Sequence, residues 1–256
     1  MKSVRHVPVV RLSLLLALSI AVVYNVSGCG GIAAGVMDGK ALTEMERRFD
    51  DEFAPSIPLS SHAFWHGENG EHWVLGLAEG VDGIIVCDAR KGGEIRRIGK
   101  PGAEKGGFDE PAGIYVADDM AFVLERGNHR IQVIELPTCS SLGFFAGKRL
   151  ADPIDFALYR IENGAFYLYV ADEKKLKGKT VTHVLRYAVS RAVNTVHSEY
   201  QLTFGYSPGD GHLRNVASVA VDDSARQVLV TEKASGRDKI KVFSLDGDFI
   251  GMDFDR

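Results

Sequence analysis

One pattern of residues returns four times between Ser61 and Arg256, and this repetition constrains the fold more than any other feature of the chain. The clearest copy runs from Phe108 to Gly147, FDEPAGIYVADDMAFVLERGNHRIQVIELPTCSSLGFFAG. The first copy carries HWVLGLAEG (72–80), GIIVCDA (83–89) and GEIRRIG (93–99). The third carries DFALY, FYLYVADEKK, HVLRYAVS and YQLTFG, and the fourth SVAVDD, QVLVTEKASG, KIKVFSLDG and FIGMDFD. Each run alternates or clusters apolar residues over a few positions, as strands with one or two buried faces do, and Gly, Asp and Asn punctuate the runs. A unit of four short strands at a period of roughly 45 residues cannot bury its own faces and must stack on copies of itself. The predicted fold class is therefore all-β, a β-propeller built of four-stranded antiparallel blades, with four blades over residues 61–256.

The first 28 residues have a different character. Lys2, Arg5 and Arg11 precede an apolar run from Leu12 to Val23, the layout of an export signal and too short to span a bilayer. Val26-Ser27-Gly28-Cys29 follows, which resembles a bacterial lipobox. The expectation is cleavage before Cys29, acylation of its thiol, and a protein anchored by lipid in the bacterial cell envelope, facing periplasm or exterior. Residues 29–60, with small residues, a charged stretch from Glu44 to Glu52, Pro55 and Pro58, read as a tether.

Charge narrows the partners. The whole chain carries 30 Lys plus Arg against 34 Asp plus Glu. Loss of Lys2, Arg5 and Arg11 would leave 27 against 34, a net charge of −7, so nucleic acid is not an expected partner. Cys87 and Cys139 would remain beside Cys29; an oxidising compartment permits them to pair, and two isolated small apolar side chains is the other reading.

Radial stacking turns one repeated position into a ring. Directly after the second strand of each unit stand Glu79, Glu125-Arg126, Asp172-Glu173-Lys174 and Glu232-Lys233. The sequence predicts that these charges gather at one mouth of the channel, where carboxylates suit a hard cation such as calcium and Arg and Lys suit phosphate oxygens. The alternative is that strand ends are simply polar. The basic run KKLKGK (174–179) reads as a solvated loop able to draw in an anion. The spacing of His62, His66 and His72 fits no metal motif, and GKPGAEKGG (99–107) reads as a connection between blades.

Two families resemble these residues. ERGNHRIQVIEL (125–136) resembles an NHL repeat, which implies a non-enzymatic scaffold for protein or glycan at the cell surface. WVLGLAEGVDGIIVCDARKG, YLYVADEKK and VASVAVDDSARQVLVTEKASGRDKIKVFSLDGDFIG are similar to the β-propeller phytases and cover all four units. That second resemblance implies hydrolysis of phosphomonoesters of inositol phosphates such as phytate, with calcium in the channel mouth. It assigns phosphate binding to Arg126 and Lys174 and a catalytic and metal role to Glu232, while the ring of charges adds Glu125 and Glu173 as expected metal contacts. It also implies six blades, so that 61–256 would be a partial, C-terminally truncated set. The chain departs from the phytase pattern at Ser61-His62-Ala63-Phe64-Trp65, where the family places a metal-binding aspartate, and at Asn215-Val216-Ala217-Ser218, where it places a glutamate.

Overall fold

The structure is a computed structural model that describes residues 59–254 apart from Gly236. The expected export signal, Cys29 and most of the expected tether lie outside the described residues.

Four antiparallel sheets of four strands follow one another along the chain, each in simple up-and-down order. Blade 1 comprises β1 (Leu59–His66), β2 (His72–Ala78), β3 (Ile84–Asp88) and β4 (Glu94–Ile98). A small parallel pair, β5 (Lys100–Pro101) and β6 (Gly107–Phe108), closes the GKPGAEKGG segment, which is indeed an inter-blade connection. Blade 2 comprises β7 (Pro111–Ala117), β8 (Met120–Glu125), β9 (Arg130–Glu135) and β10 (Ser141–Phe145). Blade 3 comprises β11 (Pro153–Arg160), β12 (Ala165–Leu176), β13 (Lys179–Ala192) and β14 (Thr195–Phe204). Blade 4 comprises β15 (Val216–Asp222), β16 (Gln227–Glu232), β17 (Lys239–Ser244) and β18 (Phe249–Phe254). The first blade begins two residues before the predicted boundary at Ser61, because β1 supplies the strand that the apolar pattern of blade 1 left unassigned.

Burial explains why the runs form these strands. The central strands β2, β3, β8 and β9 are buried on both faces, so their sequences are almost continuously apolar, whereas β4 is exposed along most of its length and reads Glu-Ile-Arg-Arg. Three apolar layers fill the spaces between blades. Trp65, Trp73, Leu75 and Ile84 meet Ile114 and Val123 between blades 1 and 2. Phe122, Leu124 and Ile131 meet Phe156, Phe166 and Leu185 between blades 2 and 3. Tyr169, Val184 and Phe204 meet Val219, Val230 and Phe243 between blades 3 and 4.

The first strands of the blades stand side by side in the order β1, β7, β11, β15. Among the described residues no strand of blade 1 packs substantially on any strand of blade 4, so the four blades form an arc. At one rim, the hairpin turns between first and second strands tie neighbours together. Trp65 Nε1 donates to Asp119 Oδ1 at 3.0 Å, and the Arg160 guanidinium grips Asp118 through two bonds of 2.5 and 3.0 Å.

Candidate functional site at the ends of the second strands

The opposite rim holds the charges that the sequence singled out, and strand register shows which of them are equivalent. The first residue of each blade pairs with Ala78 in blade 1, Glu125 in blade 2, Asp172 in blade 3 and Glu232 in blade 4. In all four blades a bulge follows immediately, between Leu59 and Ser61, Pro111 and Gly113, Pro153 and Asp155, and Val216 and Ser218. The predicted ring therefore mixes two structural positions. Ala78, Glu125, Asp172 and Glu232 occupy one; Glu79, Arg126, Glu173 and Lys233 occupy the next, on the other face of the strand.

At the first position the carboxylate is a structural anchor. Glu125 is 0% exposed and accepts from Arg130 Nε at 2.7 Å, Asn128 Nδ2 at 2.5 Å, Gln132 Nε2 at 3.1 Å and the Asp109 backbone N–H at 3.2 Å. Burial pushes its carboxyl upward from the ordinary glutamate range, against the opposing pull of Arg130 and Asn128. Asp172, equally buried, accepts from the backbone N–H groups of Ala151 and Asp152 at 2.9 Å each and has His183 Nε2 at 3.4 Å. Glu232 accepts from the Arg214 N–H at 2.5 Å and pairs with Lys241 Nζ at 3.3 Å. In each case the acid holds the incoming connection through backbone N–H groups and faces a basic side chain on the third strand, Arg130, His183 or Lys241.

This anchoring describes where the expected metal and catalytic residues stand. Glu125 and Glu232 were expected to ligate calcium, and Glu232 to act in catalysis; Glu125 has both oxygens on protein donors, and Glu232 takes the Arg214 N–H and Lys241 through the single oxygen Oε1. Glu173, the third expected ligand, accepts from Thr182 Oγ1 at 3.3 Å within its own blade. Among the described residues no three His, Cys, Asp or Glu side chains come together in a group that could hold a metal ion. Glu125, Glu173 and Glu232 thus do not form such a group with one another.

The second position faces outward. Glu79, Arg126 and Lys233 are exposed, and the backbone N–H groups of Arg126, Glu173 and Lys233 repeat one bond to the preceding connection, on Glu110, Asp152 and Asn215. Arg126 reaches across to blade 3, where Nε donates to the Pro153 carbonyl at 3.2 Å and Nη2 to the Ile154 carbonyl at 3.4 Å. Lys174 stands apart from it, exposed on a hairpin that projects from blade 3.

Sequence reasoning did not find Asp155, the most perturbed acid of this rim. It directly follows the bulge of β11, where it pairs with Ala171, and its Oδ2 accepts from the Val219 N–H of blade 4 at 2.9 Å. Burial raises its pKa to about 6, opposed by the N–H groups of Val219 and Phe156 and by the Arg126 guanidinium. Ser61 is its counterpart in blade 1, with Oγ accepting from the Ile114 N–H at 3.3 Å. The matching residue in blade 2 is Gly113, where a Cβ would stand 3.3 Å from the Phe156 ring, so the tie is lost there to close packing. The signal for this position was the bulge, which leaves no trace in an apolar pattern. Cys87 and Cys139 are both free thiols, raised in pKa by burial.

No protein-family model matches the chain, and no curated protein matches it. Solved structures resemble it in shape. Hydrazine synthase of Kuenenia stuttgartiensis aligns over 78% of this chain and 50% of its own, with a TM-score of 0.52 at 9% identity. A protein of Bacteroides uniformis provisionally assigned as a 6-phosphogluconolactonase aligns over 77% and 57%, at 0.49 and 10%. Hsv2 of Kluyveromyces lactis aligns over 70% and 47%, at 0.44 and 10%. The chain spans about half the length of these structures. With four repeated four-stranded antiparallel sheets, it is a β-propeller protein, and at such identities the likeness extends to the fold alone.

Proposed function

We propose that this propeller is a non-enzymatic binding scaffold of the bacterial cell envelope, NHL-like in use, presented outside the cytoplasm by a lipid on Cys29. The observation that carries this reading is the fate of the repeated acids. Glu125, Asp172 and Glu232 hold backbone amides of the connections that enter their blades, and both oxygens of Glu125 are taken by protein donors, so these acids serve the fold. A rim built this way is rigid and presents loops, which suits recognition of protein or glycan.

A phytase-like reading is favoured by one feature, the exposed Arg126 beside Asp155. A guanidinium fixed on carbonyls of the next blade can receive a phosphate oxygen, and a carboxyl with a pKa of about 6 can exchange a proton near neutrality. The two readings separate in one experiment on the purified full chain, with phytate supplied in the presence and absence of calcium. The scaffold predicts no release of inorganic phosphate and no calcium-dependent rise in melting temperature. Calcium-dependent release that disappears in Arg126→Ala would replace the scaffold with the phosphomonoesterase. Stabilisation by phytate without turnover, lost in the same variant, would give the scaffold an anionic ligand.

A further inference from the structure

We propose that the basic β-hairpin of blade 3 is a contact for an anionic lipid surface, approached end-on. The run KKLKGK is a continuation of two strands where the sequence suggested a loop. In blades 2 and 4 the second strand stops at the anchoring acid, Glu125 or Glu232, whereas β12 passes Asp172 and continues through Glu173, Lys174, Lys175 and Leu176. Four residues of strand carry the tip about 13 Å past the rim. The chain then reverses through Lys177 and Gly178, with φ of 50° and 77°, and Leu176 pairs directly with Lys179. Two residues with positive φ between paired strands make the tight turn whose twist matches its strands, so the projection is an ordered hairpin.

Its chemistry differs from that of the rest of the molecule. Lys174, Lys175, Lys177 and Lys179 fall within six residues of a chain whose overall charge is negative. Among the described residues none of the four makes an ion pair, whereas Lys100 and Lys241 do. Lys174 and Lys179 lie on one face with Leu176, Lys175 lies on the other, and Lys177 is in the turn, so positive charge surrounds the tip. Leu176 stands among them 48% exposed. Unpaired cations around an exposed apolar side chain match an interface where headgroups are anionic and the layer beneath is hydrocarbon. Residues 172–182 contain no aromatic side chain on which a base could stack, so single-stranded nucleic acid is the poorer match. The proposal rests neither on acylation of Cys29 nor on the scaffold reading.

The test uses the full chain with Cys29→Ser, so that no acyl chain contributes. It is cosedimented with vesicles of equal parts phosphatidylglycerol and phosphatidylcholine, and with vesicles of phosphatidylcholine alone. The expected result is binding to the anionic vesicles only, lost as salt rises from about 0.1 M to about 1 M. The combined variant K175Q/K177Q/K179Q should bind about tenfold more weakly or worse. Leu176→Ser, with all lysines kept, should lose about threefold. Far-UV circular dichroism of both variants should match the parent, since every altered side chain is exposed or in the turn. Equal binding to neutral vesicles, or binding unchanged in the triple variant, would overturn the proposal. Tighter binding of a single-stranded oligonucleotide than of the anionic vesicles would assign the hairpin to nucleic acid and overturn it as well.

Discussion

Asp155 shows how a single side chain can serve the fold at a measurable cost. Its carboxylate accepts an amide from the next blade, but burial makes the charged form unfavourable and lifts the pKa from the ordinary 3.8 to about 6. The folded protein therefore holds this proton more tightly than the unfolded chain does. As pH rises from about 4 to about 6 the unfolded state loses the proton first, so stability falls across that window and levels off above it. Asp155→Asn can still accept the Val219 N–H through its carbonyl oxygen and has no charge to desolvate. The variant should match the parent near pH 4 and exceed it progressively up to pH 6.5, by up to about 3 kcal/mol at neutrality. Melting temperatures of the pair between pH 4 and 7.5 check this, and a difference independent of pH would contradict it.

At the scale of the element, blades 2, 3 and 4 each have their entry held by a buried acid, and this device was only half legible in the sequence. The acids themselves could be seen, because they follow a recognisable apolar run at the end of each second strand. Their role could not, because it depends on a partner at no fixed spacing. Arg130 lies five residues after Glu125, His183 eleven after Asp172 and Lys241 nine after Glu232, since each hairpin between has its own length. Strand pairing brings Arg130 and His183 directly opposite their acids, while Lys241 lies two residues past the partner of Glu232, on the same face. The strands themselves were legible where both faces are buried, as in β8 and β9, and illegible in β1, whose residues alternate with exposed Ser60 and His62. The two anchors should respond differently to truncation. Glu125→Ala strands the buried Arg130 without its counter-charge and should cost about 3–5 kcal/mol. Asp172→Ala leaves two amides without an acceptor and should cost about 2–4 kcal/mol. Denaturant titration measures both, and losses below about 1 kcal/mol would show that the acids do not anchor the connections.

For the whole molecule the consequence of an arc is that, among the described residues, each blade packs on its sequence neighbours. Phe122, Leu124 and Ile131 of blade 2 and Phe166, Leu168 and Leu185 of blade 3 lie in a shared apolar layer, and both blades have a further neighbour on their other side. Among the described residues blade 4 packs through one face, with Val228, Val230 and Phe243 turned to blade 3, while Ile250 and Met252 of its last strand remain exposed. Stability in such an array is a sum over adjacent pairs, and a unit with one partner opens at lower free energy than a unit with two. Amides of β16 and β17 should therefore exchange with solvent earlier than those of β8, β9 and β12 when the full chain is followed by hydrogen exchange. The same asymmetry predicts the reach of core substitutions. Val228→Ala should speed exchange in blade 4 and leave β8 and β9 near the parent rate. Phe122→Ala, at a cost of about 3–5 kcal/mol, should speed exchange in blades 2 and 3 together. Uniform acceleration across all four blades in the Val228 variant would mean that they unfold as one cooperative unit, in which case blade 4 must be held by more than its face on blade 3.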